Sequence, residues 1–167
     1  LKLGANVQTP AIINSGTIQA LISTQTAANV IAIDIGETAS VPEMLNSGTI
    51  YARATGNDAE VTAVLDLSGT LNSIVNTGTI TALYQYDSVD LSTRTDAVAI
   101  DLTANTTGAT VYQYEREATY DANGDDEIDS DDTPDPFIYG QILFGSGDDL
   151  LKLEAGTLTG NVDFGAG

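Results

Sequence analysis

A chain of 167 residues is long enough for one domain with a sizeable core, and a mean hydropathy of +0.01 suits a folded globular chain. Five basic residues stand against 24 acidic ones, and the net charge of −19 repels phosphate backbones and anionic lipid, which excludes nucleic acid as a partner. With no Cys and no His, disulfide frameworks, thiolate chemistry, Ser-His-Asp triads and most zinc sites are excluded as well.

No run of about 18 apolar residues is present, so no membrane insertion of this segment is expected, nor does a charged-then-apolar signal segment stand at the start. The chain opens "LKLGANV" without Met and stops at "NVDFGAG", which reads as a piece of a longer protein.

Taken in chain order, the first element is a repeat. "INSGTI" at 13–18, "LNSGTI" at 45–50 and "VNTGTI" at 75–80 recur about every thirty residues. Each is followed by a second shared segment: "VIAIDIG" at 30–36, "AVLDLSG" at 63–69 and "AVAIDLT" at 97–103, with Asp34, Asp66 and Asp101 in matching places. The third repeat is longer by about five residues around "YQYDSVDLSTR", so a surface loop is expected at 84–95.

The alternation of Ile31, Ile33 and Ile35 with Ala32 and Asp34 is the period of a half-buried strand, and no helical period competes with it. Asn-Ser-Gly or Asn-Thr-Gly between apolar residues marks a corner, since Asn and Gly tolerate left-handed backbone. Ile13 and Ile18 are expected to point inward on either side of that corner. Asn14, Asn46 and Asn76 are expected to stack as a ladder of amides.

Strands that recur with corners in register describe the coils of a parallel β-helix. The expected fold is all-β, a right-handed parallel β-helix of about five coils of roughly 20–32 residues. It would form one unit over 1–167, with insertions at 84–95 and 113–136. The hand rests on the general preference of parallel crossovers.

The second insertion contains "DANGDDEIDSDD" at 121–132. From Glu115 to Asp135 the chain holds ten of its 24 acids and one base, Arg116. Taking Asp121 as the first position puts Asn123 third, Asp125 fifth, Glu127 seventh, Asp129 ninth and Asp132 twelfth, with apolar Ile128 eighth. That is the ligand spacing of a twelve-residue calcium loop, in which hard oxygen donors surround the ion and the seventh residue lends its backbone carbonyl. Ca2+ is the expected cofactor. The sixth position, where Gly makes a sharp turn, is Asp126, and "TPDP" forbids a helix after the loop. A lone calcium loop between strands is therefore expected, and its Asp at twelve resembles a dockerin or other extracellular loop.

Near the end, "GQILFGSG" at 140–147 and "GNVDFGAG" at 160–167 repeat one phrase, so the coils shorten there. Ile142, Phe144, Val162 and Phe164 are expected to alternate into the core. "GSGDDLLKL" partly fits the calcium nonapeptide of repeats-in-toxin proteins through Gly145, Gly147, Asp149 and Leu151, but a single copy reads as a corner.

The "NSGTI" corners followed by "GQILFGSGDDLLKLEAGTLTGNVDFGAG" resemble the passenger region of bacterial autotransporters, over roughly 12–104 and 138–167. That resemblance implies a β-helical stalk, usually adhesive, carried out through a C-terminal outer-membrane barrel and displayed at or released from the bacterial surface. Such stalks sometimes carry a separate enzyme domain; this segment itself is read as non-catalytic, with host-cell or surface glycans or proteins, or other copies of itself, as its expected partners.

The competing expectation is a polysaccharide-active enzyme, a glycoside hydrolase or lyase, using Asp34, Asp66 and Asp101 as an outward column with rungs ~4.8 Å apart. The scattered bases Lys2, Arg53, Arg94, Arg116 and Lys152 give an anionic sugar little to bind. Thr17, Thr49 and Thr79 form another expected column, too broken for a flat ice-binding face. Tyr84, Tyr86, Tyr112, Tyr114 and Tyr120 are the expected contact surface of the insertions.

Overall fold

The computed structural model describes residues 1–23, 28–55, 59–85 and 96–167. Each coil carries three strands. The first coil holds β1 (Lys2–Leu3), β2 (Ala11–Asn14) and β3 (Thr17–Ile22), and the second holds β4 (Ala28–Ile35), β5 (Glu43–Asn46) and β6 (Thr49–Ala54). The third holds β7 (Ala59–Asp66), β8 (Ser73–Asn76) and β9 (Thr79–Tyr84), and the fourth β10 (Val98–Asp101), β11 (Thr110–Gln113) and β12 (Phe137–Tyr139). The fifth holds β13 (Gln141–Leu143), β14 (Leu150–Leu153) and β15 (Thr157–Thr159), after which β16 (Val162–Asp163) begins another.

Equivalent strands of successive coils pair in parallel and form three sheets, ordered β1-β4-β7-β10-β13-β16, β2-β5-β8-β11-β14 and β3-β6-β9-β12-β15. This is a parallel β-helix. A single coil cannot bury its own apolar face; stacking builds one continuous core from Ile12 and Ile33 through Ile50, Ile74, Ile80 and Ile100 to Ile138 and Ile142. Each fully buried Ile contributes on the order of 1.5–3 kcal/mol, so repetition supplies the stability that no disulfide provides.

The strands of the first sheet are bent. Ala32 and Ile33 are both fully buried while Asp34 is only partly so, and Ala63–Val64 and Ala99–Ile100 repeat this in the next two coils. The simple alternation expected of Ile31, Ile33 and Ile35 is therefore corrected. Two consecutive inward residues turn the chain within the strand and invert the phase of all that follows.

A second correction concerns the corner. Ile13 points outward with 74% exposure, and its neighbours Ile12 and Asn14 point in. Ile18 packs against the core as expected. Of the terminal apolar residues, Ile142 and Phe144 are buried and Val162 packs on the core, whereas Phe164 is 45% exposed. Its ring lies on that of Phe144, with centroids 5.1 Å apart and 5° between planes.

The acidic insertion occupies the β11–β12 connection, the place where "NSG" or "NTG" turns the corner in the first three coils. It therefore projects sideways from one edge. Its base, around Arg116 and Thr133–Asp135, faces the corners at Ser47–Thr49 and Thr77–Thr79 across a cleft of about 220 Å³. The smaller insertion begins after β9; residues 86–95 of it, including Tyr86 and Arg94, lie outside the described residues.

Candidate functional site: the lateral acidic loop and the corner beneath it

The corner is built on side-chain amides. Asn14 Nδ2 donates to Asn46 Oδ1 at 2.7 Å, and Asn46 Nδ2 donates to Asn76 Oδ1 at 2.8 Å. Asn76 Nδ2 in turn donates to Gln113 Oε1 at 2.9 Å. Each Asn also donates to the carbonyl of the glycine two residues on, Gly16, Gly48 and Gly78. The amide ladder foreseen for Asn14, Asn46 and Asn76 is present and buried. Gln113 extends it by one rung, which no motif in the sequence announced because the Asn-Ser-Gly signature is absent at that corner.

Beyond Gln113 the chain leaves the rod. The loop 121–132 folds on its own backbone, with Asp121 half-buried, residues 122–131 exposed and Asp132 buried. Asp121 Oδ1 accepts the Gly124 N–H at 2.6 Å and its Oδ2 accepts the Asp126 N–H at 3.0 Å. Asn123 Oδ1 accepts the Asp125 N–H, and Asp125 Oδ1 accepts the Glu127 N–H, both at 2.9 Å. Asp129 Oδ1 accepts the Asp131 N–H at 3.0 Å and caps a single 3-10 turn, Ser130–Asp132.

Asp132 closes the loop. Its Oδ1 accepts the N–H groups of Ala122 and Asn123 at 2.6 and 3.0 Å, and its Oδ2 accepts that of Asp129 at 3.1 Å. These bonds, led by that from Asn123, hold its carboxyl below the ordinary aspartate value against the opposing effect of burial.

The sixth position settles a doubt raised by the sequence. Asp126 adopts φ 69°, the left-handed conformation that Gly usually supplies there, with its N–H bonded to Asp121. The sharp turn is made without Gly. The six candidate ligands are thus brought into one curl, yet among the described residues no three acidic side chains converge around a common metal position. Oxygens of Asp121, Asn123, Asp125, Asp129 and Asp132 instead accept from neighbouring loop N–H groups.

The expected outward column of Asp34, Asp66 and Asp101 is not formed. Leu65, not Asp66, stands between Asp34 and Asp101 in the stack, and Asp66 pairs with Ile35. Asp66 is 1% exposed and spends its carboxylate inside the corner, accepting from Ser68 N–H and Oγ–H and from Leu71 N–H. A one-residue offset between the repeats puts it on the opposite face. Asp34 instead receives Lys2 Nζ at 2.6 Å.

The "GSGDD" segment lies at the turn between β13 and β14. Asp149 Oδ1 there accepts the Ala109 N–H at 2.7 Å, and a Cβ on Gly147 would approach Gly108 N within 2.5 Å. It is a tight corner stacked on the one below. Thr17, Thr49 and Thr79 do stack in register, and Phe137 follows them.

The outward face of the second sheet carries a column the sequence reading missed: Ile13, Leu45, Val75 and Tyr112 stand in register over four coils. Tyr112 stacks on Tyr114 at 4.8 Å, lies under Lys152 Nζ at 4.5 Å and donates its hydroxyl to Glu154. That bond pushes the Tyr112 hydroxyl above its usual range, while Lys152 and Tyr112 together hold Glu154 below its own. Of the expected contact tyrosines, Tyr84 is instead buried at 4%, and Tyr120 is open at 66%.

Among the described residues no helix is long and apolar enough to cross a membrane. Compared with protein-family profiles, with curated proteins and with solved structures, the chain gives no match.

Proposed function

We propose that this chain is a non-catalytic stalk segment of a surface-displayed or secreted bacterial protein, with a lateral loop stabilised by Ca2+. One observation carries the reading: a twelve-residue loop of calcium-ligand spacing, already turned at its sixth residue by Asp126 at φ 69°, projects from the corner of a stacked rod.

Calcium would be held by Asp121, Asn123, Asp125, Asp129 and Asp132 with the backbone carbonyl of Glu127. It would supply charge neutralisation, drawing together carboxylates that otherwise repel. The protein's own part is to present hard oxygens on a curl whose backbone N–H bonds already fix its path. Asp121 and Asp132 depart from the pattern, since both oxygens of each are engaged by loop N–H groups. Binding in the weak range of extracellular modules, ~10⁻⁴ to 10⁻³ M, follows from that competition and suits an extracellular location.

As a stalk, the rod would hold its projecting surfaces away from the cell. Tyr120 and Ile128, 66% and 61% exposed on the loop, and the apolar column from Ile13 to Tyr112 offer contact surface to a glycan or protein, or to another copy. The anionic surface disfavours nucleic acid.

The test is thermal unfolding with calcium and with chelator. Chelation is expected to lower the melting temperature of the wild type and to leave an Asp121→Ala, Asp125→Ala double variant unchanged. A wild type indifferent to chelator sinks the calcium part of the reading.

A further inference from the structure

Asn123 is the one Asn in the chain followed by Gly, and the contrast with the ladder asparagines is sharp. Asn14, Asn46 and Asn76 are buried, spend their amides on one another, and precede Ser or Thr. Asn123 and Gly124 are exposed, and a Cβ placed on Gly124 would meet nothing within 4 Å, so no side chain at position 124 and no packed neighbour on that side hinders approach to the Gly124 nitrogen.

We infer that Asn123–Gly124 is a self-modification site, at which the Gly124 backbone nitrogen attacks the Asn123 side-chain amide and converts it through a succinimide to aspartate or isoaspartate. One further contact favours this. Asp125 N–H donates to Asn123 Oδ1 at 2.9 Å, where negative charge develops as the tetrahedral intermediate forms. Asp121 Oδ1 accepts the Gly124 N–H at 2.6 Å, a bond that has to open before that nitrogen can lose its proton and attack.

The chemistry balances with water alone. The Gly124 nitrogen loses its proton to solvent base and forms a bond to Asn123 Cγ; the Cγ–Nδ2 bond breaks, and nitrogen leaves as ammonia with a proton from solvent. One water then opens the imide. Cleavage of the bond from nitrogen to Cγ leaves aspartate at position 123, and cleavage of the bond to the backbone carbonyl carbon leaves isoaspartate.

The consequence for calcium rests on the function proposed above. Aspartate at the third ligand position adds a carboxylate to the set, whereas isoaspartate lengthens the backbone by one atom and disrupts the turn that Asn123 and Asp125 now share. Calcium held by Asn123 Oδ1 would slow the attack only by fixing the side chain in its ligand position, away from the Gly124 nitrogen.

The experiment is incubation of the whole chain at mildly alkaline pH, with calcium or with chelator, followed by peptide mass mapping and enzymatic labelling of isoaspartate. Conversion is expected at Asn123 ahead of every ladder Asn, reduced in Gly124→Ala and lost in Asn123→Gln. Asn123 remaining intact, or converting no faster than Asn14, Asn46 and Asn76, overturns the inference whatever calcium does. Conversion at one rate with and without calcium upholds it and counts against the calcium reading alone.

Discussion

Asn76 and Gln113 are joined by a 2.9 Å hydrogen bond between buried side chains, at the point where the rod gives way to its lateral loop. Gln113 Nε2 passes the chain of bonds on to the carbonyls of Ala155 and Thr157, at 3.0 and 3.4 Å. The longer side chain of Gln supports the next coil after the Asn-Ser-Gly turn has been replaced by an insertion. Gln113→Leu leaves one Asn76 N–H and two carbonyls without that partner, and a loss of about 1–3 kcal/mol is expected by urea unfolding. Gln113→Glu is expected to lose more at neutral pH, because a carboxylate would face those carbonyls.

Asp66 accepts the Leu71 N–H at 3.0 Å through Oδ2 and two Ser68 donors through Oδ1. In Asp66→Asn one oxygen becomes an NH2 group set against donors. A destabilisation of about 1–3 kcal/mol is expected, read as a shift of the denaturant midpoint at unchanged slope.

Gly48 lies beneath the preceding corner so closely that a Cβ would stand 2.1 Å from the Gly16 carbonyl oxygen. Nothing lies within 4 Å of the equivalent position on Gly16 itself. Gly48→Ala is expected to cost about 1–3 kcal/mol or more through forced separation of two coils, and Gly16→Ala to be near neutral. Equal melting temperatures for the two variants would contradict the stacking.

The depressed carboxyl of Asp132 makes the loop acid-sensitive, and the direction follows from its partners. Charged Asp132 is favoured in the folded loop by the N–H groups of Asn123, Ala122 and Asp129. Its contribution is therefore complete above the ordinary aspartate value and is lost as pH falls through the lower folded value. Amide exchange at Ala122, Asn123 and Asp129 is expected to stay protected through mildly acidic pH and to open in strong acid. Asp132→Asn is expected to reduce protection at neutral pH and to flatten the acid dependence.

If calcium holds the loop, protection should rise with concentration by mass action. At tenfold excess over Kd the gain is about 1.4 kcal/mol, or roughly tenfold slower exchange of loop amides, with the amides of β5 and β8 unchanged. Magnesium, smaller and reluctant to dehydrate, is expected to give much less.

Much of the architecture was legible because a β-helix writes its period into the chain. The Asn-Ser-Gly corners at 14–16 and 46–48 and the Asn-Thr-Gly corner at 76–78 carry both the coil length and the ladder, since each corner must stack on an identical one. Side-chain phase was less legible. Ile13 and Asp66 stand on the faces opposite to those expected: Ile13 because its neighbours Ile12 and Asn14 take the inward positions before the corner, and Asp66 because the repeats stack with a one-residue offset that puts Leu65 in line with Asp34 and Asp101. At Ala32–Ile33 and its equivalents two residues point inward in succession, and no local propensity signals that.

The same division runs through the acidic loop. Its ligand-type spacing and its Asn-Gly pair are properties of order along the chain, and the sequence by itself determined them, together with the coil period and the absence of Cys and His. Tertiary structure alone decided that Asp126 makes the left-handed turn, that Asp132 turns both oxygens to the backbone, and that Gln113 replaces Asn at the base. The reason is physical: spacing sets which residues can meet, but which way each side chain points depends on the backbone bonds and stacked neighbours that the folded coils bring to it.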